Sequence, residues 1–293
     1  MSLQFGLDPE YFAVISWNKQ PYVISPAMLE KFSGLKYLET DELDKHPIYI
    51  KEKDFSWMQD GVAFELTILH PLNSAKEMFE IVSKALTYLE EFLSKLKFEG
   101  LELSLYKKPV VNINPEIYIP YLNENKIHQG FIFGCDPDKD CFFPDYKCET
   151  VDVISHLFRY GGGHFHISGS KAFQKYIIPA VKLMAVCVGN FVTLNSLFPE
   201  EDKQRVSTYG RPGRYRPQKY SNGSFGIEYR TPSNSWTSLP EEKYDELVFW
   251  AIKATEFLEN RRIDILETFV DDTIKAIINA DKNLSKEILD EIR

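Results

Sequence analysis

The segment GGGHFHIS, residues 161–168, places two of the chain's six histidines at alternate positions behind three glycines. In an extended strand alternate side chains share a face, so His164, His166 and Ser168 point one way while Phe165 and Ile167 point the other. Two imidazoles on one face can serve zinc, iron or a phosphate. The glycines ahead of them suit a close approach of backbone or ligand. Carboxylates elsewhere narrow the chemistry: GLDPE carries Asp8 and Glu10, FELT carries Glu65, and IEYR carries Glu228 two positions before Arg230. Such a set, gathered in a cleft of low dielectric, repels itself unless a divalent cation intervenes. Oxygen-rich ligands with a single histidine suit magnesium or manganese better than zinc, and magnesium points to phosphate.

A phosphate needs fixed cations. Residues 205–217, RVSTYGRPGRYRP, supply Arg205, Arg211, Arg214 and Arg216 in what reads as a Gly/Pro-rich loop. Arginine suits the task because its planar fork donates two hydrogen bonds to one group.

The elements that must position these residues are short strands and long helices. GVAFELTIL puts Val62, Phe64, Leu66 and Ile68 on an apolar face and leaves Glu65 among Gly61, Ala63 and Thr67. The same arithmetic in FGIEYRTP sets Gly226, Glu228 and Arg230 opposite Ile227 and Tyr229. Helical spacing marks residues 75–97, with Asn73 or Ser74 as cap, then about 170–197 with an interruption at Pro179, and about 241–259. Residues 261–293 read as amphipathic helix suited to packing or to a homo-oligomer contact. Strands in series with helices in separate blocks predict an α+β fold, a curved and largely antiparallel sheet with helices on its outer face. The expected division is a catalytic domain over 1–258 and a helical extension over 259–293.

At 293 residues, 44% hydrophobic and 26% charged, the chain can bury a full core. A net charge of −9 argues against nucleic acid or an anionic membrane as partner and favours small molecules or peptides. The N-terminus lacks the look of a signal peptide, and no apolar run reads as reaching the roughly 18 residues of a membrane span, so a cytoplasmic location is expected. Cys135, Cys141 and Cys148 lack the CxxC spacing of zinc ribbons, and together with Cys187 they read as reduced thiols. DPDKD opens like a calcium loop, but Cys141 stands where such a loop needs glycine and Lys147 where it needs glutamate.

Taken in order, FGLDPEYF, DGVAFELT, GCDPD at 134–138, GGGHFHIS, and YGRPGRYRPQKY followed by GIEYRTPSNSW resemble the phage-type carboxylate-amine ligase family. The motifs span roughly residues 5–240. The family's members are predicted ATP-dependent amidoligases sharing the catalytic fold of glutamine synthetase and glutamate-cysteine ligase. The resemblance implies ATP and magnesium or manganese as cofactors, with a carboxylate and an amine as substrates. It implies metal ligands at Asp8 and Glu10, serving two different ions, and at Glu65, His164 and Glu228. It places His166 and Ser168 at the nucleotide phosphates, Arg230 at the carboxylate or acyl phosphate, and Arg214 and Arg216 at phosphate, so that the three arginines carry the catalysis. Asp8 stands where glutamine synthetase has a glutamate, one methylene longer, and Asp136 of GCDPD is a substrate-side candidate. The residues by themselves also leave open a metal-dependent hydrolase, a guanidino-type kinase and a non-catalytic nucleotide-binding module.

Overall fold

The computed structural model describes residues 3–41, 46–119, 139–145, 156–220 and 223–293. The chain opens with β1 (Gln4–Trp17), β2 (Gln20–Ile24), α1 (Pro26–Ser33), β3 (Glu39–Thr40), β4 (Pro47–Lys51), β5 (Phe55–Asp60), β6 (Ala63–Ile68) and α2 (Ala75–Ser94). Five short strands follow, β7 (Lys97–Phe98), β8 (Leu101–Glu102), β9 (Ser104–Tyr106), β10 (Val110–Asn112) and β11 (Lys139–Asp140), and then β12 (Phe158–Tyr160) and β13 (Gly163–Ser168). Helices α3 (Lys171–Lys175), α4 (Ile177–Met184), α5 (Asn190–Leu194) and α6 (Pro199–Thr208) lead to the hairpin β14 (Arg214–Lys219) and β15 (Phe225–Tyr229). Helices α7 (Glu241–Glu259), α8 (Asp264–Asn279) and α9 (Lys282–Ile292) complete the chain.

This is the expected α+β architecture. The main path of the sheet runs β11-β14-β15-β13-β1-β6-β5-β4-β3, and its pairings are antiparallel apart from a parallel contact of β10 with β2. Strand β1 changes partner along its length. Residues 4–9 pair with β13, 10–11 with β6, and 12–17 with β9 and β2. Pro9 lies where the β13 ladder ends, a place that does not require an N–H.

Alternation divides the faces as expected. Phe5, Leu7, Phe64, Leu66, Phe165 and Ile227 are buried in one continuous core, opposite the residues of the candidate site. Helix α2 lies on β5 and β9, α4 lies on β14 and β15, and α7 spans α2 and α4. Trp57 Nε1 donates to the Ala85 carbonyl at 3.0 Å, tying β5 to α2. Ser74 caps α2 by accepting from Glu77 N at 3.1 Å, while Glu77 accepts from Asn73 N at 2.8 Å.

Two helical expectations change. The break in the second helical block falls at Tyr176, not at Pro179, because a proline ring crowds the carbonyl four residues earlier and so ends α3 at Lys175. The run Ile177–Leu194 is also long and apolar enough to cross a membrane, contrary to the reading that no such run exists, but 72% of it is buried inside the fold. A π-helical turn at Ala185–Gly189 lies within it. The helices beyond residue 258 contribute Ile265, Ala276, Ile288 and Leu289 to the main core.

Candidate active site

Strand register assembles the site. Asp8 faces His164 across β1 and β13, His166 faces Glu228 across β13 and β15, and Glu228 faces Arg216 across β15 and β14. On the other side of β1, Glu10 faces Glu65 of β6. Two groups of acids therefore flank one strand, Asp8 with His164 and Glu228, and Glu10 with Glu65 and Asp60. In each group one ligand atom per residue lies within 4.8 Å of the others.

In the first group, His164 Nδ1 is 3.1 Å from Asp8 Oδ1 and 3.6 Å from Glu228 Oε1. An octahedral ion with arms of about 2.1 Å separates neighbouring ligands by about 3 Å and opposite ligands by about 4 Å. The spacing fits such an ion. Asp8 Oδ1 and His164 Nδ1 are buried without a hydrogen bond, as atoms converging on a cation would be. Burial and the Arg230 guanidinium outweigh Asp8 and Glu228 to lower the His164 pKa, so its imidazole is neutral, as a metal ligand must be. His166 behaves oppositely. Burial opposes its charge, yet the Asp8 carboxylate, with Oδ2 3.2 Å from Nε2, holds its pKa above the ordinary value. A histidine 17% exposed whose protonated form is favoured in this way is suited to donate to phosphate.

The carboxylates of this group are compensated by cations. For Asp8, burial pushes the pKa up, but His164 and His166 together pull it well below the ordinary carboxylate range. Glu228 is fully buried; burial and Asp8 raise its pKa, while Arg230, His166 and His164 bring it below normal. Arg230 Nη1 donates to Glu228 Oε1, and Gln218 Nε2 at 2.5 Å and Arg216 Nη1 at 3.4 Å donate to Oε2.

In the second group, Glu10 is buried and Oε2 accepts from Gly162 N at 2.9 Å. Desolvation, reinforced by the charge of Asp60, pushes its pKa up to about 8. Such an acid holds its proton at neutral pH until a cation replaces it. Asp60 is absent from the ligand set drawn from the sequence. Its signal was the DG pair: a two-residue turn at Gly61 and Val62 sets Asp60 against Ala63, on the same face as Glu65.

The glycine run makes room chiefly for the protein itself. A Cβ on Gly163 would lie 2.2 Å from the Ser233 carbonyl oxygen, and one on Gly162 would lie 2.5 Å from His164 Nε2.

The arginine segment is not one loop. Arg205 lies on α6, Arg211 follows it, and Arg214 and Arg216 lie on β14, because RYRP alternates against β15 and joins the sheet. Arg214 and Arg230 are buried, and Arg216 is 27% exposed beside Glu228. A cleft of about 500 Å³ opens over Asp8, Glu65, His166 and Ser168, with Phe5, Leu69 and Tyr220 among its walls. GCDPD and Asp136 lie outside the described residues, as do Cys135 and Cys148; Cys141 and Cys187 are free and buried.

No family model matches the chain, and no curated protein matches it. Among solved structures it is similar to the complex between the prokaryotic ubiquitin-like protein Pup and its ligase PafA. That similarity has a TM-score of 0.43 at 12% identity and covers 96% of this chain, which spans about half (51%) of the matched chain's length.

Proposed function

We propose that this chain is an ATP-dependent carboxylate-amine ligase of the phage-type kind, working with magnesium or manganese in the cytoplasm. The observation that carries the reading is the pair of acid groups flanking β1, one of them sharing Glu228 with Arg230. Asp8, His164 and Glu228 would hold one divalent ion, and Glu10, Asp60 and Glu65 a second. Ions there supply charge neutralisation of the triphosphate and of the phosphoryl group in transfer.

The chain's own residues do the rest. His166, whose protonated form Asp8 favours, and Ser168 donate to nucleotide phosphates at the cleft floor. Arg230 and Arg216, held against Glu228, stabilise charge on the transferring group, with Arg214 beside them on β14. The γ-phosphoryl moves to a carboxylate oxygen of the acid and ADP leaves. The amine nitrogen then forms its bond to the acyl carbon as the carbon–oxygen bond to phosphate breaks, the electron pair departing with phosphate and the amine's proton passing to solvent. Walls of the cleft such as Leu69 and Tyr220 limit water at the acyl phosphate. The substrates are a small-molecule or peptide acid and an amine.

The test is ADP formation by purified protein with Mn²⁺ or Mg²⁺ over panels of acids and amines, with the product traced by mass. The expected result is metal-dependent ADP release stimulated by an acid and amine together, with an amide product. Turnover without ATP would instead mark a metal-dependent hydrolase, and a stable phosphorylated guanidine would mark a kinase.

A further inference from the structure

Tyr209 follows α6 directly and has no place in the site as drawn from the sequence. It is 9% exposed, and its hydroxyl meets His164 of the first acid group and Arg230, the partner of Glu228. It lies 3.3 Å from His164 Nε2 and accepts from Arg230 Nη2 at 3.0 Å. The phenol is held from behind. The Arg205 guanidinium stacks on its ring at 5.0 Å, and Arg205, 1% exposed, donates from Nη1 to the Thr231 carbonyl at 2.6 Å and from Nη2 to the Arg230 carbonyl at 3.5 Å. Gly210 permits this stack, since a Cβ there would lie 2.3 Å from Arg205 Nη1.

A phenol oxygen offers one hydrogen and two lone pairs. Arg230 can only donate, so it occupies a lone pair. His164 turns Nδ1 toward Asp8 and Glu228, and when Nδ1 offers its lone pair to a cation, Nε2 carries the hydrogen. That hydrogen finds the second lone pair of Tyr209. One oxygen then sets both the tautomer of the histidine and the plane of the guanidinium.

We propose that Tyr209 is a positioning residue that couples His164 to Arg230, presenting Nδ1 to a divalent ion and orienting the guanidinium through one hydroxyl. The role of Arg230 toward substrate rests on the ligase reading above; the coupling to His164 does not. Loss of a partner that orients a metal-binding histidine typically weakens metal affinity about 10–100-fold.

The experiment is Mn²⁺ binding, by the loss of its free electron-spin resonance signal, to wild type and Tyr209→Phe. It is paired with long-range ¹⁵N NMR of the His164 ring in the Mg²⁺-saturated wild type. The expected result is a loss of Mn²⁺ affinity of about 10-fold or more in the folded variant, and an Nε2-protonated ring in wild type. Affinity within two-fold of wild type, or a ring protonated at Nδ1, overturns the proposal. Should the variant fail to fold, the wild-type ring still decides. A wild type that binds no Mn²⁺ overturns the metal reading and this coupling together. A wild type with tight Mn²⁺ and the expected ring but no ADP formation supports the coupling and sinks only the ligase reading.

Discussion

The two acid groups on either side of β1 are built from similar residues and solve opposite problems. Around Asp8 and Glu228 the protein supplies its own cations, and both carboxyls stay ionised, Glu228 in full burial and Asp8 partly exposed. Around Glu10 it supplies one backbone N–H and the weaker pull of Arg230 and Arg205, too little to offset burial, and the carboxyl keeps its proton up to about pH 8. The first group is therefore preorganised before any ion arrives. In the second a cation would have to displace a proton to enter.

That difference can be attacked from either side. The largest expected effect is Arg230→Lys, which keeps the charge on the compensated side and loses the two-pronged donor; amine-dependent ADP formation falls by about 10²-fold while ATP binding largely survives. A rate within a few-fold of wild type would make Arg230 a mere counter-ion of Glu228. Next is Asp8→Asn, which takes the anion from between His164 and His166 and destabilises the metal-free protein by about 2 kcal/mol in urea titrations at pH 7. An unchanged midpoint would show that the compensation is not stabilising.

On the uncompensated side the effects are smaller, and both reverse the usual expectation for a carboxylate. The folded pKa of Glu10, about 8, lies above its ordinary value of 4.5, so the folded state binds the extra proton between the two. Its contribution to stability is full below the lower value and is lost as pH rises through the upper one. The melting temperature of the metal-free protein is expected to carry a declining component over that window. Glu10→Gln removes it and Mn²⁺ offsets it; a slope identical in wild type and Glu10→Gln would place the titration elsewhere. The smallest effect is Asp60→Asn, which above the Glu10 titration, at about pH 9, relieves repulsion and stabilises the metal-free protein by about 0.5 kcal/mol while weakening Mn²⁺ binding. Destabilisation in its place would mean that Asp60 already compensates a cation.

Much of this was legible because alternation in a strand is strict. Asp8 with Glu10, His164 with His166, and Glu228 with Arg230 each share a face once their segments are recognised as strands, and apolar neighbours such as Phe165 and Ile227 fix which face that is. Register between strands was not legible, and it is register that sorts the acids into two groups. Asp60 escaped because its membership depends on the hairpin turn rather than on its own strand. Tyr209 escaped because it reaches the site from the end of a helix, where no period in the sequence relates it to His164. The arginine segment misled for a related reason: its glycines and prolines suggested a loop, while RYRP carries a strand pattern too short to outweigh them.

Strand β1 supplies a carboxylate to each acid group from positions two residues apart, with Pro9 between them. Successive residues rise about 3.3 Å and alternate in direction, so backbone geometry alone holds Asp8 and Glu10 at a fixed offset. The consequence is an asymmetry in how this segment can vary through descent. Substitutions on its core face trade one apolar side chain for another and leave the offset untouched. A single inserted or deleted residue between Asp8 and Glu10 turns one of the two carboxylates toward the core while the other keeps its face, so length at this point is expected to be held far more tightly than identity.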